Sequence, residues 1–110
     1  MSEPIDPNKA IEFIIKTAPS FAAAQSQHDH LCEFRKTKKA MLMLASPEST
    51  AIMREADAYA NPEYLQVLEG IKVSGEEAIT LKWHLEAARM RVDVWRSMES
   101  SNRSQDRTMR

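Results

Sequence analysis

The sequence predicts an all-α protein: an antiparallel helical hairpin or coiled coil with one long C-terminal helix. Three observations carry this. From Tyr64 to Glu99, seam residues recur at spacings of three and four through Val67, Ile71, Ser74, Ala78, Leu81, Leu85, Ala88, Val92 and Trp95, about five heptads. The five prolines sit near the edges of apolar-periodic segments, where they punctuate helices without breaking them. Aromatics are 6% of the chain and β-branched residues do not cluster in alternating runs, which argues against a sheet core.

A first, short helix is expected at 7–18. Asp6 offers an oxygen to the free amides, Pro7 suits the first turn, and Ile11, Ile14, Ile15 and Ala18 make an apolar face with Phe13 beside it. Pro19 is expected to interrupt it and to open a second helix over 19–45, with Ala24, Leu31, Phe34, Met41 and Ala45 on one side. Ser46-Pro47 stops that helix and starts a third at 47–60, with Ser46 as cap, Pro47 in the first helical position and Glu48 complementing the positive end of the helix dipole. Asn61-Pro62-Glu63 repeats the device for the long helix at 62–106, roughly 65 to 70 Å at ~1.5 Å per residue. Residues 107–110 are read as a frayed tail. Each glycine in a helix costs about 1 kcal/mol relative to alanine, so the stretch from Gly70 to Gly75 is the expected place for a bend or break.

The whole chain, 1–110, is read as one helical domain, since 110 residues make one domain at most and a 43% hydrophobic share suffices for a core. The formal charge of −1 gives no overall attraction to nucleic acid or anionic membrane, so any electrostatic partner must meet a local patch. Cys32 is the single cysteine and cannot form an internal disulfide. The first residues lack the basic and apolar regions of a signal peptide, and no run approaches the roughly 18 apolar residues of a membrane span. A cytoplasmic protein without membrane contact is expected.

Catalytic chemistry is not visible. His28, Asp29, His30 and Cys32 are the densest set of potential ligands, with His28 and Cys32 on one helical face, but two ligands do not make a zinc site and His84 stands apart. The plainer reading places His28 in a helix interface and leaves Asp29 and His30 solvated. Two glycines cannot write a phosphate-binding loop, and Glu76, Glu77 and Glu86 fall where a coiled coil presents its solvated face. No cofactor, no metal and no small-molecule substrate are expected.

Two basic patches and one apolar row are the candidates for binding. Arg35, Lys36, Lys38 and Lys39 cluster in the second helix, and Arg89, Arg91, Arg96, Arg103 and Arg107 make the C-terminal end basic; both suit phosphates. The plainer reading has Arg89 and Arg96 paired with Asp93 and the lysines serving solubility. Trp83, Ala87, Met90 and Val94 form a second row, roughly 200° around the helix from Leu85, Ala88 and Val92. Two apolar faces on one helix predict a homo-oligomer or another partner, unless the N-terminal helix folds over the second.

The stretch Ala58-Tyr59-Ala60-Asn61-Pro62-Glu63-Tyr64, then Leu68-Glu69-Gly70, then Leu81 through Arg96, with Asn102-Arg103 and Asp106-Arg107, resembles a family of small, mostly uncharacterised helical proteins encoded by bacteriophages and prophages. Glu33-Phe34-Arg35-Lys36 and Lys39-Ala40 extend the resemblance to roughly residues 30–110. It implies a bacterial host cell and genes lying near those for recombination and single-strand binding. The expected function is a non-catalytic accessory protein for DNA recombination or replication, binding single-stranded DNA or phage or host DNA-processing proteins as an oligomer. The alternatives are an inhibitor of a host defence or nuclease protein, and a structural coiled-coil adaptor.

Overall fold

The computed structural model describes residues 4–109, and among these it is all-α. Three helices follow in order: α1 (Pro7–Ala45), α2 (Ala51–Ala60) and α3 (Pro62–Met109). Asp6 opens α1 as its sequence suggests, its Oδ1 accepting from the Asn8 amide at 2.9 Å. The expected break between 7–18 and 19–45 is absent: α1 runs through Pro19. A proline inside a helix deletes one backbone donor and costs about 3 kcal/mol. Here Pro19 and Ile15, whose carbonyl loses that donor, both lie on the exposed side of α1. Pro19→Ala is therefore expected to stabilise the protein, by about 1 to 3 kcal/mol. Chemical denaturation measures it; an unchanged midpoint would mean that α1 does not gain from continuity there.

The third helix starts at Ala51, not at 47. The Ser46 hydroxyl accepts from the Glu48 amide in a local turn at 3.3 Å, and Thr50 becomes the cap, accepting from the Met53 amide at 3.2 Å. Arg54 Nε donates to the Glu48 carbonyl at 2.7 Å and ties the connection down. Asn61 alone joins α2 to α3. Its amide donates to the Ala58 carbonyl at 3.2 Å and its Oδ1 accepts from Glu63 at 2.8 Å, so one residue ends one helix and begins the next. The long helix continues to Met109, so residues 107–109 of the expected tail are helical and Arg110 lies outside the described residues.

Contacts group the chain into two compact units: Ala22–Ile79, and the residues up to Phe21 together with those from Thr80 onward. In the first, α1 and α3 are antiparallel, as the pairs His28 with Ile71 and Lys38 with Glu63 require. Leu42, Ala58 and Tyr64 form its core cluster, with Met43 against it. Tyr59 meets Tyr64 edge-on at 5.3 Å between ring centres. Ala24, Val67, Ser74 and Ala78 are buried, and His28, Leu31 and Ile71 half-buried. The buried Ser74 hydroxyl donates to the Gly70 carbonyl at 2.7 Å, so it is not left without a partner.

The break that the glycines could cause between Gly70 and Gly75 is absent: α3 is helical throughout. These glycines are points of close approach. A Cβ on Gly70 would lie 3.1 Å from Leu31 Cδ1, and one on Gly75 would lie 3.1 Å from Cε1 and Nδ1 of His28. Two side chains of α1 occupy the room that side chains of α3 would need.

In the other unit Ala10 and Ala88 are buried, and Ile14, Thr17, Phe21, Leu81, Leu85, Val92 and Trp95 half-buried. Phe13 and His84 pack tilted at 6.5 Å. Every seam position read from Tyr64 to Glu99 is buried or half-buried. The apolar faces read on α1 need correction. Ile11, Ile15 and Ala18, and further along Met41 and Ala45, are exposed; the buried line passes through Ala10, Ile14, Thr17, Phe21, Ala24, His28, Leu31, Lys38 and Leu42. From Ser100 to Met109 every residue of α3 is exposed.

Candidate functional site

The two basic patches fall in different units and are used differently. In Ala22–Ile79, Lys38 is largely covered and pairs with Glu63 at 3.2 Å, joining α1 to α3. Lys39 pairs with Glu55 at 3.5 Å and lies over the Tyr59 ring at 4.7 Å, joining α1 to α2. Its ammonium is held above the usual lysine range, first by the Tyr59 hydroxyl and then, against a lowering by burial, by Glu55. Lys36 makes an exposed pair with Glu33 at 3.4 Å, and Arg35 is exposed. Lys38 and Lys39 thus hold the helices together, which leaves Arg35 and Lys36 for outside contacts.

The arginines of the other unit are open to solvent. Arg89 pairs with Glu86 at 3.3 Å and Arg96 with Asp93 at 3.9 Å, both exposed pairs one helical turn apart. Such pairs contribute well under 1 kcal/mol and yield readily to a stronger anion. Arg91, Arg103 and Arg107 have no carboxylate within 4.0 Å among the described residues. Lys82, which the patch read from sequence omits, belongs with them. Lys82, Arg89, Arg96 and Arg103 recur every seven residues, which sets them on one line of α3 about 10 Å apart. The signal was the heptad period itself, applied to charges instead of apolar residues. The unit carries nine lysines and arginines against seven acidic residues, while Ala22–Ile79 carries six against nine.

The row Trp83, Ala87, Met90 and Val94 is exposed: Trp83 by 65%, Met90 by 61% and Val94 by 49%. Helix α1 does not cover it. Trp95 lies half-buried on the seam, so the two tryptophans differ in role. Beside the row, and sharing Ala87 with it, a groove of about 450 Å³ is lined by Phe13, His84, Asp6, Lys9, Ala88 and Arg91. Neither Phe13 nor His84 stands out in the sequence as a site residue; both flank the seam.

A second exposed apolar area lies in Ala22–Ile79. Leu44 and Ile52 are mostly exposed, near a shallow depression lined by Ala40, Met43, Leu44, Ala51 and Arg54. The His28 ring, by contrast, is an interface residue. A carbonyl only accepts, so the 3.0 Å contact with Ile71 puts the proton on Nδ1, and Nε2 is left to accept from the Cys32 thiol at 3.7 Å. Among the described residues no group of three or more histidine, cysteine, aspartate or glutamate side chains is arranged to hold a metal ion, and no helix is long and apolar enough to cross a membrane. Comparison with protein-family models, curated proteins and solved structures returns no match for this chain.

Proposed function

We propose that the chain is a non-catalytic accessory factor in DNA recombination or replication, working as a helical oligomer that binds single-stranded DNA or the proteins on it. The observation that carries this is the line of cations on α3, Lys82, Arg89, Arg96 and Arg103, open to solvent and held by nothing stronger than exposed pairs. A regular row of cationic side chains neutralises backbone phosphates without reading bases, which suits an accessory role on any sequence. The resemblance to small phage- and prophage-encoded helical proteins points the same way and suggests a bacterial host cell.

Fluorescence anisotropy with a labelled single-stranded oligonucleotide, repeated over a range of salt, tests it. Affinity is expected to fall as salt rises. The triple variant Arg89→Glu, Arg96→Glu, Arg103→Glu should bind at least about tenfold more weakly and flatten the salt slope by about 2, at ~0.7 per phosphate contact on a single strand. Binding that ignores both salt and the triple variant would end the DNA reading.

A second reading has its own observation. Trp83 and Met90 are too exposed for a helix that has finished its packing, and an inhibitor of a host nuclease or defence protein would present such a row to a groove on its target. Stoichiometric capture of one host enzyme, lost in Trp83→Ala and unaffected by the arginine triple, would favour inhibition. Oligomers that bind neither DNA nor a host enzyme would leave a structural adaptor.

A further inference from the structure

We infer that the exposed row of α3 is covered by the same row of a second copy, with the two α3 helices parallel and in register. This rests on the oligomeric part of the function proposed above and adds the orientation, the register and the ion pairs that select them.

The row has the spacing of a coiled-coil seam. Thr80, Ala87 and Val94 repeat every seven residues, and Trp83 and Met90 follow three positions after the first two. All five are exposed. What covers the row is decided by its flanks, which differ in charge. On one side the residues nearest the seam are Glu86 and Asp93; on the other they are His84 and Arg91, beside the groove that carries both Lys9 and Asp6. The arginines that pair with Glu86 and Asp93 stand farther from the seam, at Arg89 and Arg96.

Two copies of such a helix can meet in two ways. In an antiparallel pair each flank faces its own copy, so carboxylates meet carboxylates and Arg91 meets His84 or Arg91. In a parallel pair each flank faces the opposite one, and a residue just before the seam meets the partner residue five positions further on. Five positions after Glu86 is Arg91. The parallel arrangement therefore makes two symmetric pairs between Glu86 and the second copy's Arg91, where the antiparallel one sets carboxylates against carboxylates and gains no ion pair. Like charges across an interface exclude a geometry more effectively than one ion pair favours it. The line of Lys82, Arg89, Arg96 and Arg103 lies behind the flank and stays open when the row is covered, so self-association and phosphate binding are compatible.

Sedimentation equilibrium of the full chain is expected to show a dimer. Glu86→Arg alone and Arg91→Glu alone should each weaken it, by roughly tenfold in dissociation constant, since each turns two attractions into two repulsions. The double variant Glu86→Arg, Arg91→Glu restores the pairs with their signs exchanged and should recover most of the loss. Orientation is read in a Cys32→Ser background: Thr80→Cys and Val94→Cys, prepared separately, should each form an interchain disulfide under mild oxidation. An antiparallel pair can bring at most one of those positions to its own copy. A monomer at every concentration, a double variant no better than the singles, or a disulfide at only one position would overturn the inference. A monomer that binds DNA with the expected salt dependence defeats this inference alone, whereas a parallel dimer indifferent to DNA defeats the DNA reading alone.

Discussion

Tyr64→Ala is expected to lower stability by about 3 to 5 kcal/mol. Tyr64 is 6% exposed and stands at the first turn of α3, where it closes the cluster of Leu42 and Ala58 and carries the edge of Tyr59. Removing the ring exposes apolar surface on all three helices at once. It also leaves a cavity that cannot collapse easily, because Asn61 fixes the distance between α2 and α3 to one residue. Thermal or chemical denaturation followed by circular dichroism measures the effect. Tyr59→Ala is the control: its ring is partly exposed, so about 1 kcal/mol is expected, from the lost edge contact and the seat of Lys39. Equal losses for the two tyrosines would show that the cluster is not centred on Tyr64.

The second large effect is expected at a residue without a side chain. Gly75→Leu should destabilise by about 2 to 4 kcal/mol, because the space beside Gly75 is already filled by the His28 ring. A leucine there must push the ring away from the Ile71 carbonyl and separate two helices packed backbone to side chain. Gly75→Ala sets two terms against each other: about 1 kcal/mol gained in helix propensity, and a contact at 3.1 Å in which the ring must give by a few tenths of an ångström. Near-neutrality is the expected result. The diagnostic variant is the pair Gly75→Leu with His28→Ala, which empties the space that leucine needs. It should recover at least about half of the loss, a coupling far above that of independent sites. Additive losses would mean that His28 and Gly75 do not share that space.

Seen from these residues, the sequence was readable where burial followed hydrophobicity and unreadable where it did not. The seam of α3 could be traced position by position because its members are mostly apolar and evenly spaced. The opposing seam of α1 passes through Thr17, His28 and Lys38, while the more hydrophobic Ile11, Ile15 and Met41 lie off it. Apolarity therefore placed Ile14, Ala24, Leu31 and Phe34 correctly and Ile11, Ile15 and Met41 on the wrong side. The pattern that marks α1 is positional: residues three and four apart that are small, or that reach a partner on α3, as His28 reaches Ile71 and Lys38 reaches Glu63. The glycines misled for a related reason. Along the chain a missing side chain shows only as lost helix propensity, whereas here it makes room for Leu31 and His28 of the helix across. Pro19 shows that a proline weakens a helix without necessarily ending it: α1 runs through it on its exposed side, which is not written in the residue itself.

The candidate site was legible in part for the same reasons. The apolar row and the C-terminal arginines could be named from spacing, but the division of labour among the cations could not. Lys38 and Lys39 are indistinguishable from Lys36 along the chain, and only the neighbouring helices show that two of the three are occupied.

The end of α3 has a consequence for any ligand that uses it. From Ser100 to Met109 the helix is wholly exposed, and an unsupported segment of that length is close to balance between helix and coil in water. Arg103 and Arg107 are therefore presented by a spring whose coiling shares the free energy of whatever they grip. Affinity measured at this end contains the helix–coil equilibrium of ten residues, so warming, or a glycine placed between the two arginines, loosens the hold without touching a single contact.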